Sequence, residues 1–166
     1  AWFDYVPEEA RDWLADKGTL VTHKRGDMIY ADGNDASHIY AVISGIYRIY
    51  VISPDGDELT LEEVVADCWF PHHYPTETPP YYGHCVCQQN AQAIAFPRSV
   101  LYELGERWPG LYRGQYNEYL ARAIVTVGRI ELLSLHSLNV RLAVHFLRLA
   151  TLRGDRQADG TILIKD

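Results

Sequence analysis

The chain has 166 residues, a formal net charge of −7 and 48% hydrophobic residues, enough to build one buried core and too apolar for a disordered tail. No apolar run approaches the roughly 20 residues that a membrane-spanning helix needs, and the opening Ala1-Trp2-Phe3-Asp4 lacks a basic, signal-like character, so the expected location is cytoplasmic. Three cysteines, Cys68, Cys85 and Cys87, form an odd set whose last two members are too close for an ordinary structural disulfide, which favours a reducing compartment.

Charge is unevenly spread. Residues 1–97 carry 5 Lys/Arg against 15 Asp/Glu, a balance of −10, whereas residues 98–156 carry 9 against 5, a balance of +4. Nucleic-acid affinity comes largely from clustered Lys and Arg, so the acidic half is a poor partner for a phosphate backbone.

From Lys24 to Phe70 short alternating apolar segments are punctuated by Lys24-Arg25-Gly26-Asp27, Asp32-Gly33, Ile43-Ser44-Gly45 and Pro54-Asp55-Gly56-Asp57, which reads as a ladder of hairpins. Ser37 to Ile52 alternates apolar and polar residues around Gly45, which is expected to supply a turn. Pro54-Asp55-Gly56-Asp57 then reverses the chain before Leu59 to Val65, with fixed φ, Asx bonding and a permissive glycine. Strands spaced in this way predict a sandwich or barrel, not an open parallel sheet.

The second half reads as helical. Pro97 suits a first helical turn, Val100, Leu101 and Leu104 follow at helical spacing, and Trp108-Pro109-Gly110 interrupts. A long helix over 110–136 carries Tyr116, Leu120, Ala123, Val127 and Ile130 at alternating steps of four and three, the narrow seam of two helices packed side by side and the basis for expecting a parallel homodimer. A further helix over Asn139 to Leu152 begins at Ser137 or Asn139 and closes at Arg153-Gly154.

The order of these elements, with Lys24-Arg25-Gly26-Asp27-Met28-Ile29-Tyr30, Ile39-Tyr40-Ala41-Val42-Ile43-Ser44-Gly45 and Val140-Arg141-Leu142-Ala143, resembles the Crp/Fnr family of bacterial transcription regulators over nearly the whole chain. The resemblance implies a mainly β fold: a double-stranded β-helix of the jelly-roll, cyclic-nucleotide-binding type, with an N-terminal helix and a long C-terminal dimerisation helix. It divides the chain into an effector-sensing barrel, 1–97, a helical region, 98–153, and the start of a linker, 154–166, toward a winged helix-turn-helix that these residues do not include. DNA would be bound only through that further domain, and a small molecule would act as effector.

Relatives that bind cAMP hold its phosphate with a Gly-Glu-Leu turn followed by an Arg-Ser pair. By counting, those positions fall at Pro71-His72-His73 and Tyr81-Tyr82, and no Arg or Lys occurs from Val51 to Pro97, so cAMP is not the expected ligand. In place of the cassette stand Cys68-Trp69-Phe70-Pro71-His72-His73-Tyr74 and Tyr81-Tyr82-Gly83-His84-Cys85-Val86-Cys87. Their rings and imidazoles suit a planar, weakly polar effector. The expected pocket is Trp69, His72, His73, Tyr74, Tyr81, Tyr82, Cys85 and Cys87, joined by Thr126 and Val127, which match helix positions where family members touch their effector. The segments Tyr74-Pro75-Thr76 and Glu118-Tyr119-Leu120 are similar to the branch that senses halogenated phenols.

No cofactor is expected, with haem as the alternative, because carbon-monoxide-sensing relatives place a haem ligand close to His73. Cys85 and Cys87 share one face of a strand, so a metal held by them and His72 or His73 is a second form of that reading. A cupin-like metalloenzyme would have to use His72, His73 and Glu77, without the His-x-His spacing that puts both rings on one strand face, so no enzymatic activity is expected. His23, His38, His136 and His145 read as ordinary surface residues.

Overall fold

A computed structural model describes residues 5–71 and 80–164. The chain forms two compact units, Ala1–Gln115 and Tyr116–Asp166. The first opens with a helix, α1 (Glu8–Ala15), that carries Glu8 and Glu9 in its first turn and buries Ala10 and Leu14. Six strands follow: β1 (Thr19–His23), β2 (Met28–Tyr30), β3 (His38–Ile52), β4 (Glu58–Val64), β5 (Trp69–Phe70) and β6 (His84–Pro97). The strands have the jelly-roll-like arrangement expected from the sequence, with helices at both ends of the strand region.

The long strand β6 is the spine of the sheet. On one side it pairs antiparallel with β1 (Thr19↔Ala95 to His23↔Ala91) and then with β2 (Tyr30↔Cys85). On the other it pairs antiparallel with β3 (His38↔Pro97 to Tyr50↔His84), and β3 pairs in turn with β4 and β5. Alternation along β6 turns Cys85, Cys87, Ala91 and Ala93 inward. These small residues leave room for the rings of Tyr30, Tyr47, Phe70 and Tyr81, which are buried with them in one core cluster.

Two expectations about turns are corrected. Gly45 does not reverse the chain: β3 runs through it as one 15-residue strand, and the register against β6 shifts on both sides of it. At φ +82° a Cβ there would stand 2.5 Å from the Cα of Ala91, so glycine is required by a bulge that presses β3 against β6. Lys24–Asp27 is likewise no hairpin, because β1 and β2 both run antiparallel to the same β6. Gly26 N–H donates to Cys87 O at 2.8 Å and Cys87 N–H to Asp27 O at 2.9 Å, carrying the chain onward along its partner. Pro54–Asp57 does reverse it, with Ser53 N–H donating to Asp57 O at 2.8 Å between β3 and β4.

The helix α2 (Arg98–Arg107) starts immediately after Pro97, and α3 (Gly110–Leu135) follows the Trp108-Pro109 break. Leu101 and Leu104 of α2 and Leu111 of α3 are buried with Val6, Ala10, Leu14, Ile39 and Phe96 in a second cluster. The first compact unit reaches Gln115, and α2 and the first turn of α3 complete the core that α1 begins. The second unit holds the rest of α3, α4 (Leu138–Arg153) with Ser137 as N-cap residue, and a hairpin of β7 (Gly154–Arg156) and β8 (Ile162–Ile164). Among the described residues no helix is long and apolar enough to cross a membrane.

Candidate functional site

Residues directly opposed across antiparallel strands point to the same face of a sheet. Along the inner face this rule builds a row across four strands: Glu62 of β4 opposes Ile49 of β3, Ile49 opposes Cys85 of β6, and Cys85 opposes Tyr30 of β2. A bulge between Ile49 and Tyr50 turns Leu61 to the core side next to Glu62. Tyr30, Ile49 and Cys85 are buried, while Leu61 and Glu62 are half-buried. The neighbouring inner row is Val64, Tyr47 and Cys87, all fully buried.

Aromatic rings close this interior. Tyr81 stacks on Tyr30 at 4.0 Å with planes 9° apart, and Phe70 stacks on Tyr40 at 5.0 Å and tilts against Tyr47 at 4.7 Å. Burial above all, with weaker contributions from neighbouring groups, raises the phenols of Tyr30 and Tyr47 and pushes that of Tyr40 up to about 12, so all three are neutral at ordinary pH. The basic side chain nearest in sequence, Arg48, belongs to the outer face, where it opposes Glu63, bonds Glu58 at 2.6 Å and lies over the Tyr50 ring.

The expected site residues divide. Cys85 and Cys87 stand on the inner face of β6 as foreseen, but as core residues. Burial chiefly raises both thiols, which holds them protonated when a metal ligand needs the thiolate, and Cys87 Sγ donates to Gln89 O at 3.2 Å. Among the described residues no three His, Cys, Asp or Glu side chains are grouped to hold a metal ion. Tyr81 is buried and pinned: its hydroxyl donates to His38 O at 3.0 Å and accepts from His38 N–H at 3.2 Å, and its backbone bonds Gly33 and Asn34. It ties the crossing segment between β2 and β3 to the start of β6. Tyr82 points outward, 71% exposed. Trp69 stacks on Phe96 at 5.3 Å and joins the helical cluster, because alternation gives the barrel interior to Phe70 instead.

His72, His73, Tyr74 and Glu77 lie outside the described residues. Thr126 and Val127 belong to the second unit, where both are exposed and Thr126 Oγ1 donates to Arg122 O at 3.0 Å along its own helix. Tyr116, Leu120, Val127 and Ile130 are exposed along α3, and Ala123 is half-buried.

Two residues of the interior were not foreseen. His23, expected on the surface, bonds Tyr47 Oη through Nδ1 at 2.8 Å and meets the rings of Tyr40 and Tyr47 edge-on. Burial lowers its pKa, and Asp27 partly opposes the shift. Alternation puts His23 on the same face as Val21, but the adjacent apolar pair Leu20 and Val21 does not say which face is the inner one. Glu62 pairs with Ile49 and shares its face of β4 with the buried Val64, two residues on.

Comparison with known proteins agrees with this architecture. Residues 20–107, more than half of the chain, match the cyclic nucleotide-binding domain family. No curated protein sequence matches. Among solved structures, the N-terminal domain of a transcriptional regulator from Streptomyces coelicolor A3(2) shares 20% identity at a TM-score of 0.62, over 82% of this chain and 95% of that one. The sensor domain of the transcriptional regulator DNR from Pseudomonas aeruginosa shares 23% identity at 0.66, over 81% and 90%. The catabolite activator protein of Thermus thermophilus shares 20% at 0.69, over 80% of this chain and 62% of that one. The chain belongs to the cyclic nucleotide-binding domain family, in the fold that Crp/Fnr-type transcription regulators use.

Proposed function

We propose that this chain is the sensory and dimerisation portion of a Crp/Fnr-type transcription regulator whose effector is a small planar molecule other than cAMP, relayed through α3. The observation that carries the reading is the absence of any Arg or Lys from Val51 to Pro97. A cyclic nucleotide brings a phosphate that must be paired when it leaves water. Among the described residues the inner face offers it neutral phenols, thiols, aliphatic groups and the Glu62 carboxylate on the Ile49 row. Ring walls of this kind favour a planar ligand held by stacking and a few directed hydrogen bonds.

The exposed stripe of Tyr116, Leu120, Val127 and Ile130 supports pairing of two copies along α3, and the balance of −10 over residues 1–97 supports leaving DNA contact to residues outside the sensory barrel. Sensing without catalysis completes the proposal. Absorption spectroscopy with metal analysis of the purified protein tests the effector class. The expected spectrum has only aromatic bands; a Soret band, or stoichiometric metal that survives dialysis, would replace the organic effector with the haem or metal reading.

A further inference from the structure

We propose that His23 and Tyr47 form a proton-operated latch on the edge strand β1: neutral His23 holds the strand to the barrel, and protonation of His23 releases it. β1 stands at one end of the strand order β1-β6-β3-β4, so one of its edges has no partner strand among the described residues. None of its five residues is fully buried; Val21 and His23 are half-buried and the other three are exposed. Val21 packs against the core cluster, and His23 bonds the fully buried Tyr47 of β3, a strand with which β1 does not pair. Among the described residues this is the one hydrogen bond made by a side chain of β1. A strand with so little burial opens at low cost, so a single inward bond weighs heavily in holding it.

Satisfaction of the buried hydroxyl fixes the direction of that bond. Tyr47 Oη has no other hydrogen-bond partner among the described residues, so its hydrogen is satisfied only by donating to an unprotonated Nδ1, which puts the proton of the neutral imidazole on Nε2. A second proton must go on Nδ1. Tyr47 Oη then has to accept, and its own hydrogen is left inside the core without an acceptor. The rings of Tyr40 and Tyr47 face His23 edge-on from β3, the neutral thiol of Cys87 lies 3.6 Å from His23 O on the β6 side, and Lys24, Arg25 and Asp27 stand in the corner that follows β1. Asp27 favours the cation, but burial opposes it more strongly and the net shift of His23 is downward. Opened β1 therefore binds the proton more readily than latched β1, and the latch weakens as pH falls below the ordinary value of 6.5.

Amide hydrogen exchange of the whole chain, resolved by residue at pH 8 and pH 5 and corrected for the intrinsic exchange rate, measures the latch. Protection over residues 19–23 is expected to fall at least about threefold between the two, and by more than protection over residues 58–64 of β4, the strand at the other end of the order. His23→Gln, which keeps a neutral hydrogen-bonding side chain, should abolish the fall, and Tyr47→Phe should reduce it, because no hydroxyl is then left without an acceptor. Imidazole nitrogen shifts of the unmodified chain at pH 8 should place the proton of His23 on Nε2. A fall in β1 no larger than that in β4, a fall that persists in His23→Gln, or a neutral His23 carrying its proton on Nδ1 would each overturn the latch. If a variant does not fold, the exchange pattern and the nitrogen shifts of the unmodified chain decide by themselves.

Discussion

His23 couples the barrel interior to pH. Its Nδ1 bonds the fully buried Tyr47 at 2.8 Å, and burial lowers its pKa, with Asp27 acting in the opposite sense. The unfolded chain then binds the proton more readily than the folded one, so the stability tied to neutral His23 is present above its ordinary value of 6.5 and is lost as pH falls below it through the folded value. Urea unfolding at pH 8 and pH 5 should show a larger loss for the unmodified chain than for His23→Gln. Identical losses would mean that His23 is as solvated as its sequence context implied. The same residue marks a limit of reading sequence: a histidine at a strand end next to Lys24-Arg25 looks exposed, and only the return of β3 with Tyr47 supplies its partner.

At the level of elements, what alternation controls was readable and what partner strands control was not. The inward positions Tyr47, Ile49, Cys85 and Cys87 follow from period two, and Pro97, Trp108-Pro109 and Arg153-Gly154 punctuate the helices where expected. Gly45 carried the same turn-like signature as Gly56, yet one sits in a bulge against Ala91 and the other in an open hairpin. That difference sets a test. Gly45→Ala should destabilise the chain by about 3 kcal/mol or more, since positive φ and overlap with β6 add together, whereas Gly56→Ala, with open space around it, should cost about 1 kcal/mol; chemical denaturation of the two variants measures both. On α3 the seam residues were legible as a stripe, and their exposure leads to a second test. Light scattering should give twice 19.0 kDa, and Val127→Glu should halve it by placing a charge in an apolar contact. A monomeric mass for the unmodified chain at high concentration would remove α3 from the role of dimer helix.

For the molecule as a whole, the strand region and the family fit were legible because turn residues, strand spacing and helix order agree with one another. The site was legible only in part. Composition directs attention to rings and thiols between Trp69 and Cys87, but Trp69 serves the helical cluster, Tyr81 staples a crossing segment and Tyr82 faces outward. Glu62, by contrast, reaches the inner face through its pairing with Ile49, ahead of the bulge at Leu61. The central claim is that a fold of the cyclic nucleotide-binding family here serves an effector without a phosphate. Calorimetric titration of the purified chain with cAMP measures that claim most directly. No saturable heat at millimolar cAMP is the expected result; saturable binding in the micromolar range would contradict it and return the phosphate to this site.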